Sequence, residues 1–125
     1  MYRVAIIGVG KGGENIGSHS IGYMHAQTYV NSGCCKIVGA ADISEENLNA
    51  FADQFGVACT SSDYRTMLAE ARPQLVSVAT YAGLRREMVM ACIEAGVKGI
   101  WCEKPFCLTM DDGRAMLDAC RRNDV

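Results

Sequence analysis

A short apolar run that ends in a glycine turn is the feature that most constrains the fold of this chain. Residues 4–7 are all apolar and lead into Gly8 and Gly10, and Gly13 completes the spacing Gly-x-Gly-x-x-Gly. This arrangement is typical of a strand followed by a tight turn, in which glycines let a phosphate group approach the backbone. Flexible glycine loops share the spacing, so the pattern gains weight only where strands and helices surround it.

Strand and helix patterns alternate along the whole chain. Apolar runs predict strands at Tyr2–Gly8, Lys36–Asp42, Val57–Cys59, Leu75–Thr80 and Lys98–Cys102. Apolar residues at helical spacing predict five helices: one from Ser20–Gly22 to Gly33, three capped by Ser44, Asp63 and Thr109, and one from Leu84 to Gly96. Such alternation indicates an α/β fold with a doubly wound parallel sheet. We expect residues 1–125 to form one Rossmann domain that lacks the last strand of the complete fold.

The composition argues against several classes of function. Half of the 125 residues are hydrophobic and the net charge is −2, so nothing indicates a basic face for nucleic acid. We see neither a secretory leader pattern nor an apolar run long enough to span a bilayer, and we expect no membrane partner. The seven cysteines are scattered without a Cys-x-x-Cys pair, which favours reduced cytoplasmic thiols over disulfides. We therefore expect a cytoplasmic protein without a metal site.

The third glycine of the turn has two candidates. It normally lets the following helix pack closely on the strand. Residues 11–21 look too polar and too rich in glycine to begin a helix at once, and the helix is expected near Gly22. The packing position is therefore open between Gly13 and Gly22.

Asp42 follows the second predicted strand, where an acid can accept hydrogen bonds from both hydroxyls of an adenosine ribose. A carboxylate there repels a 2′-phosphate, so we expect NAD as cofactor rather than NADP. Asp42 lies 32 residues after Gly10, which fits the usual offset only if the intervening loop carries an insertion. The alternative is that Asp42 only caps the next helix.

The segment Glu103-Lys104-Pro105 closes the fifth predicted strand. Lysine is costly to desolvate, so a lysine at a strand end usually has a function. Proline directly after it fixes the backbone where the strand must stop. Lys104 is therefore the candidate reactive residue of the chain.

The glycine turn, Asp42, Ala79-Thr80 and Cys102-Glu103-Lys104-Pro105 together resemble the Gfo/Idh/MocA family, named for glucose–fructose oxidoreductase, inositol dehydrogenase and a rhizopine-catabolism protein. The resemblance implies an N-terminal NAD-binding domain of a longer two-domain oxidoreductase whose substrate is a sugar, cyclitol or related polyol. It gives Lys104 a catalytic role beside the nicotinamide, with Glu103 and Pro105 shaping its surroundings. It adds Thr80 and Glu103 to the cofactor-binding residues.

The resemblance also predicts what lies beyond this chain. The general base of the family comes from a C-terminal substrate domain, so we expect this fragment alone to be inactive, and the complete protein to be a homo-oligomer. Two relatives of other function stay open as alternatives: a sensor that binds NAD(P) without turnover, and an NAD-dependent glycosidase.

This sequence departs from the family pattern after the fourth strand. Tyr81 and Arg85 stand where the family often has proline and histidine. Arg85 and Arg86 are interpreted either as a solvated helix start or, less favourably, as contacts to an anionic substrate group. His25, which follows Gly22 in the pattern Gly-x-x-His, is interpreted as a helix-packing residue.

Overall fold

Five parallel strands form one sheet, which confirms the predicted doubly wound α/β fold. The structure, a computed structural model, describes residues 1–12 and 20–125. The strands are β1 (Tyr2–Ile7), β2 (Cys35–Ala41), β3 (Cys59–Ser61), β4 (Leu75–Val78) and β5 (Gly99–Cys102). The helices are α1 (Ile21–Asn31), α2 (Glu45–Phe55), α3 (Tyr64–Ala71), α4 (Arg85–Glu94) and α5 (Met110–Asn123), with a 3₁₀ turn at Ala82–Leu84 before α4. None of the helices among these described residues is long and apolar enough to cross a membrane.

The strand order β3-β2-β1-β4-β5 places a switch point between β1 and β4. The chain builds outward from β1 to β3 on one side, and then returns beside β1 to build β4 and β5 on the other. Loops that leave β1 and β4 therefore diverge at their carboxyl ends and open a crevice, which is where open α/β sheets bind their ligands.

The core lies on both faces of the sheet because side chains alternate along β1. Ala5 and Ile7 belong to one buried cluster, which residues of α3, α4 and α5 complete. Ile6 belongs to the other, which residues of α1 and α2 complete. A strand buried on both faces has to be apolar throughout, and this explains the continuous apolar run that opens the chain.

The predicted helix caps are confirmed. The Ser44 hydroxyl accepts the Asn47 N–H, Asp63 accepts the N–H groups of the first turn of α3, and Thr109 accepts the Asp112 N–H. The Asp112 carboxylate, three residues after the Thr109 cap, pairs with Arg86 at 2.9 Å.

Each predicted strand differs from the observed one by one or two residues at an end, and β3 and β4 show the two-residue differences. β3 begins at Cys59 rather than Val57, because the Val57 N–H is occupied by the Ala52 carbonyl at 3.1 Å where α2 ends. β4 ends at Val78 rather than Thr80, and the Ala79 N–H donates back to the Ile7 carbonyl at 2.9 Å. The shorter β4 leaves Thr80 in the turn that borders the crevice.

Candidate functional site

The turn after β1 is built by glycines that have no room for a side chain. Gly8 and Gly10 have φ of +86° and +66°, a region that residues with a Cβ rarely adopt. A Cβ on Gly8 would lie 2.7 Å from the Thr80 Cγ2, and one on Gly10 would lie 2.6 Å from the Ser20 Cβ. The turn therefore contacts both the end of β4 and the start of α1.

Gly22 occupies the packing position that the sequence left open. A Cβ at Gly22 would lie 2.5 Å from the Gly8 carbonyl oxygen and 2.7 Å from that of Val9. Only a residue without a side chain lets the first turn of α1 approach the strand end this closely. Gly13, the other candidate, lies outside the described residues.

The N-terminus of α1 lies against the same turn. Ser20 is the N-cap, but its side chain makes no capping bond to the helix, and its hydroxyl instead donates to the Val9 carbonyl. Ile21 and Gly22 line a cavity of about 490 Å³. Such a helix start is suited to an anion because free N–H groups and the helix dipole act together.

Asp42 lies directly after β2 and joins the turn to the next helix. Its Oδ2 accepts the Gly10 N–H at 2.8 Å, and its Oδ1 accepts the Ser44 N–H at 2.9 Å. Each oxygen has a second lone pair for a further donor. Holding the turn and receiving a ribose hydroxyl are therefore compatible roles.

One cavity gathers most of the predicted cofactor-binding residues. Its lining includes Gly8, Gly10, Gly22, Asp42 and Thr80. These residues come from the ends of β1, β2 and β4 and from the start of α1, as expected for a site at the switch point. Glu103 and Lys104 lie outside this lining, after β5.

The segment after β5 holds Lys104 by its backbone and leaves its side chain exposed. The Glu103 N–H continues the sheet by donating to the Val78 carbonyl at 3.1 Å. The Lys104 N–H donates to Oε2 of Glu103 at 3.2 Å, and the Lys104–Pro105 peptide bond is cis. The two hydrogen bonds hold the main chain at Glu103 and Lys104, while the Lys104 side chain is exposed and its ammonium can reach solvent or a ligand.

His25 has a larger role than packing. It is 1% exposed, as a packing residue would be, and its ring stacks on Trp101 with centroids 3.7 Å apart. Its Nε2–H also donates to Oε1 of Glu103 at 2.8 Å, and this hydrogen bond lowers the pKa of Glu103 below its ordinary value of 4.5. Nδ1 of His25 has no hydrogen-bond partner within the described part of the chain. In the sequence, the Gly-x-x-His spacing was the signal that could have indicated this role, since it puts His25 one helical turn after Gly22 and on the same face of α1.

The arginine pair at the start of α4 divides into a buried and an exposed member. Arg86 is exposed and pairs with Asp112, as a solvated helix start would be. Arg85 is only 4% exposed, so the solvated interpretation is wrong for this residue. Its guanidinium donates to the main-chain carbonyls of Thr80, Glu103 and Pro105.

No group of three or more His, Cys, Asp or Glu within residues 1–12 and 20–125 is arranged to hold a metal ion.

Comparison with known proteins assigns the same kind of domain. The model of an oxidoreductase family with an NAD-binding Rossmann fold matches residues 2–125. A D-apiose dehydrogenase from Paraburkholderia graminis is 34% identical over 124 residues, which are 99% of this chain and 30% of that protein. A D-glucoside 3-dehydrogenase from Escherichia coli is 30% identical over 120 residues, which are 96% of this chain and 32% of that protein.

A solved structure agrees in fold over nearly the whole chain. The WlbA dehydrogenase from Bordetella pertussis, in complex with NADH and UDP-GlcNAcA, superposes with a TM-score of 0.85 at 25% identity. The match covers 99% of this chain and 34% of that one. The chain therefore spans about one third of the length of the relatives it matches.

Proposed function

The chain belongs to the Gfo/Idh/MocA oxidoreductase family, and on this premise we propose that it is the cofactor-binding part of an NAD-dependent enzyme that oxidises or reduces a sugar, cyclitol or related polyol. The observation that carries the proposal is the close approach of Gly22 to the Gly8 and Val9 carbonyls, which brings a helix start against a glycine turn. The same cavity is bordered by Asp42 and Thr80. Relatives that are dehydrogenases support the oxidoreductase class.

The described residues fit the pyrophosphate and the adenosine ribose of a dinucleotide. The N–H groups at the start of α1 and the backbone of Gly10 would hold the pyrophosphate, since Gly10 and Gly22 line the cavity and carry no side chain. Asp42 would accept the ribose hydroxyls with its remaining lone pairs. Thr80 borders the other side of the cavity, toward β5.

Lys104 is the proposed catalytic residue. When bound, the nicotinamide supplies a hydride acceptor or donor to the reaction. The Lys104 ammonium would donate a hydrogen bond to the substrate oxygen and stabilise the negative charge that develops on it. The neighbouring Glu103 carboxylate holds the Lys104 N–H and leaves the ammonium free for this role.

The cofactor assignment is tested by titrating NAD⁺ and NADP⁺ into the chain by calorimetry. We expect NAD⁺ to bind at least ~10-fold more tightly, because a carboxylate facing a phosphate costs more than about 1.4 kcal/mol when little water screens it. Asp42→Ala should reduce the difference in affinity between NAD⁺ and NADP⁺. Asp53→Ala, which removes an exposed carboxylate from α2, should leave that difference unchanged. Equal affinities in the unaltered chain, or tighter NADP⁺ binding, would contradict the assignment.

The catalytic assignment is tested in the complete enzyme by Lys104→Ala. We expect NAD⁺ affinity within about threefold of the unaltered enzyme and a loss of turnover on the order of 10²-fold. Lys98→Ala is the matched control because Lys98 is also exposed but precedes the opposite end of β5. Single-turnover hydride transfer at the normal rate in Lys104→Ala would remove Lys104 from the catalytic residues.

A further inference from the structure

The guanidinium of Arg85 is buried, and its hydrogen bonds in the described part of the chain go to main-chain carbonyl oxygens. Arginine is rarely buried unless a charged or polar group compensates it. Among the residues that the structure describes, no Asp or Glu side chain forms an ion pair with Arg85. Its donors are satisfied by main-chain carbonyl oxygens instead, which indicates that the side chain is there to hold the backbone.

Those carbonyls belong to two segments that leave neighbouring strands. Nε donates to the Thr80 carbonyl at 2.9 Å, and Nη2 donates to the same oxygen. Nη1 donates to the carbonyls of Glu103 and Pro105, the residues on either side of Lys104. One side chain therefore ties the turn after β4 to both flanks of Lys104.

A second side chain reaches the same segment from the other face of the sheet. His25 of α1 donates to one oxygen of the Glu103 carboxylate, and the other oxygen accepts the Lys104 N–H. The main chain around Lys104 is thus held at three points, while its ammonium is free. A lysine that must meet a substrate oxygen gains from this arrangement, because a displacement of 1 Å can cost two orders of magnitude in rate.

We propose that Arg85 is a positioning residue that fixes the backbone of Lys104 against Thr80 at the carboxyl edge of the sheet. The consequence for hydride transfer rests on the function proposed above, whereas the fixing of the backbone does not. The guanidinium suits this task because its planar fork offers five donors in a rigid arrangement. Lysine at this position keeps the charge, but its donors lie on one nitrogen, so it cannot reach the Thr80 carbonyl and the Glu103 and Pro105 carbonyls from separate nitrogens as Arg85 does.

Amide hydrogen exchange of the ¹⁵N-labelled chain tests the fixing directly. We expect Arg85→Lys to raise the exchange rate of the Lys104 amide at least ~10-fold and to leave the Ile6 amide in β1 within about twofold. Arg86→Lys is the matched control, since Arg86 is the next residue but lies at the surface, and it should change neither amide. Equal loss of protection at Lys104 and Ile6 would mean that Arg85 only stabilises the fold, and unchanged protection at Lys104 would also overturn the proposal.

Hydride transfer in the complete enzyme tests the consequence. Arg85→Lys should lower kcat at least ~10-fold with the dissociation constant for NAD⁺ within about threefold, and Arg85→Met should lower kcat further. A normal kcat in Arg85→Lys, despite faster exchange at Lys104, would overturn the positioning role. If the unaltered enzyme transfers no hydride, the proposed function fails, and the exchange measurement alone supports or overturns the role of Arg85.

Discussion

Replacing Gly22 by alanine tests the contact on which the whole site depends. The new Cβ would meet the Gly8 carbonyl oxygen at 2.5 Å, about 0.9 Å short of the 3.4 Å at which ordinary contact begins, and the Val9 Cα at 2.8 Å. These atoms belong to the backbone of the central strand's turn and cannot rotate away. Overpacking of this kind costs about 1–3 kcal/mol, and the better helix propensity of alanine returns up to about 1 kcal/mol. Because the contacted atoms are backbone, the cost lies in the upper part of this range, about 2–3 kcal/mol, and we expect a net loss of about 1–2 kcal/mol.

The matched control is Gly113→Ala, which changes the same residue type inside α5. There the new Cβ would meet the Cys107 Sγ at 2.8 Å, a side-chain atom that can turn away. Thermal unfolding followed by circular dichroism should give a Tm lower by about 4–8 °C for Gly22→Ala and by far less for Gly113→Ala.

Calorimetry should also show at least ~10-fold weaker NAD⁺ binding for Gly22→Ala only, because α1 has to move away from the glycine turn. Normal NAD⁺ affinity and a Tm no lower than that of Gly113→Ala would refute the assignment of Gly22 as the packing glycine.

Two further predictions follow from pKa shifts. Because the hydrogen bond from His25 lowers the pKa of Glu103 below 4.5, Glu103 stabilises the folded chain above that pH and loses this contribution as the pH falls through its folded pKa. Urea unfolding should therefore show Glu103→Gln less stable than the unaltered chain at pH 7, and the difference should shrink as the pH falls below 4.5; a constant difference would contradict this. Burial raises the pKa of the Cys92 thiol to about 12, whereas a hydrogen bond with Ser32 lowers the pKa of the exposed Cys34. Brief iodoacetamide treatment with mass spectrometry should label Cys34 first and Cys92 last, and labelling of folded Cys92 at the rate of Cys34 would refute it.

The sequence predicts most of the fold because its signals are local. Ser44, Asp63 and Thr109 cap helices through bonds that span two or three residues, so their spacing alone identifies them. Continuous apolar runs identify strands buried on both faces. The start of β3 is missed because hydropathy does not reveal that the Val57 N–H is used to close α2.

The site is predicted less completely because its contacts are not local. The sequence identifies Gly22 and Gly13 as candidates for the glycine on which α1 packs against the end of β1. It does not decide between them, because the choice depends on how closely the helix approaches the strand. Arg85 and Arg86 are adjacent and chemically identical, and yet one is buried and the other exposed. Nothing in the residue types separates them, because burial depends on the carbonyls that the fold places around each side chain.

The two helices that follow the switch-point strands explain how one segment comes to be held from both sides. His25 lies on α1, which follows β1, and it donates to the side chain of Glu103, 78 residues further along the sequence. Arg85 lies on α4, which follows β4, and it donates to the main-chain carbonyl of Glu103, 18 residues further along. The first turn of α1 also carries Gly22, which packs on the glycine turn, and His25 lies one helical turn further on. A rigid helix cannot shift at Gly22 and stay in place at His25. Packing of the glycine turn and placement of the segment that carries Lys104 are therefore coupled through the body of α1.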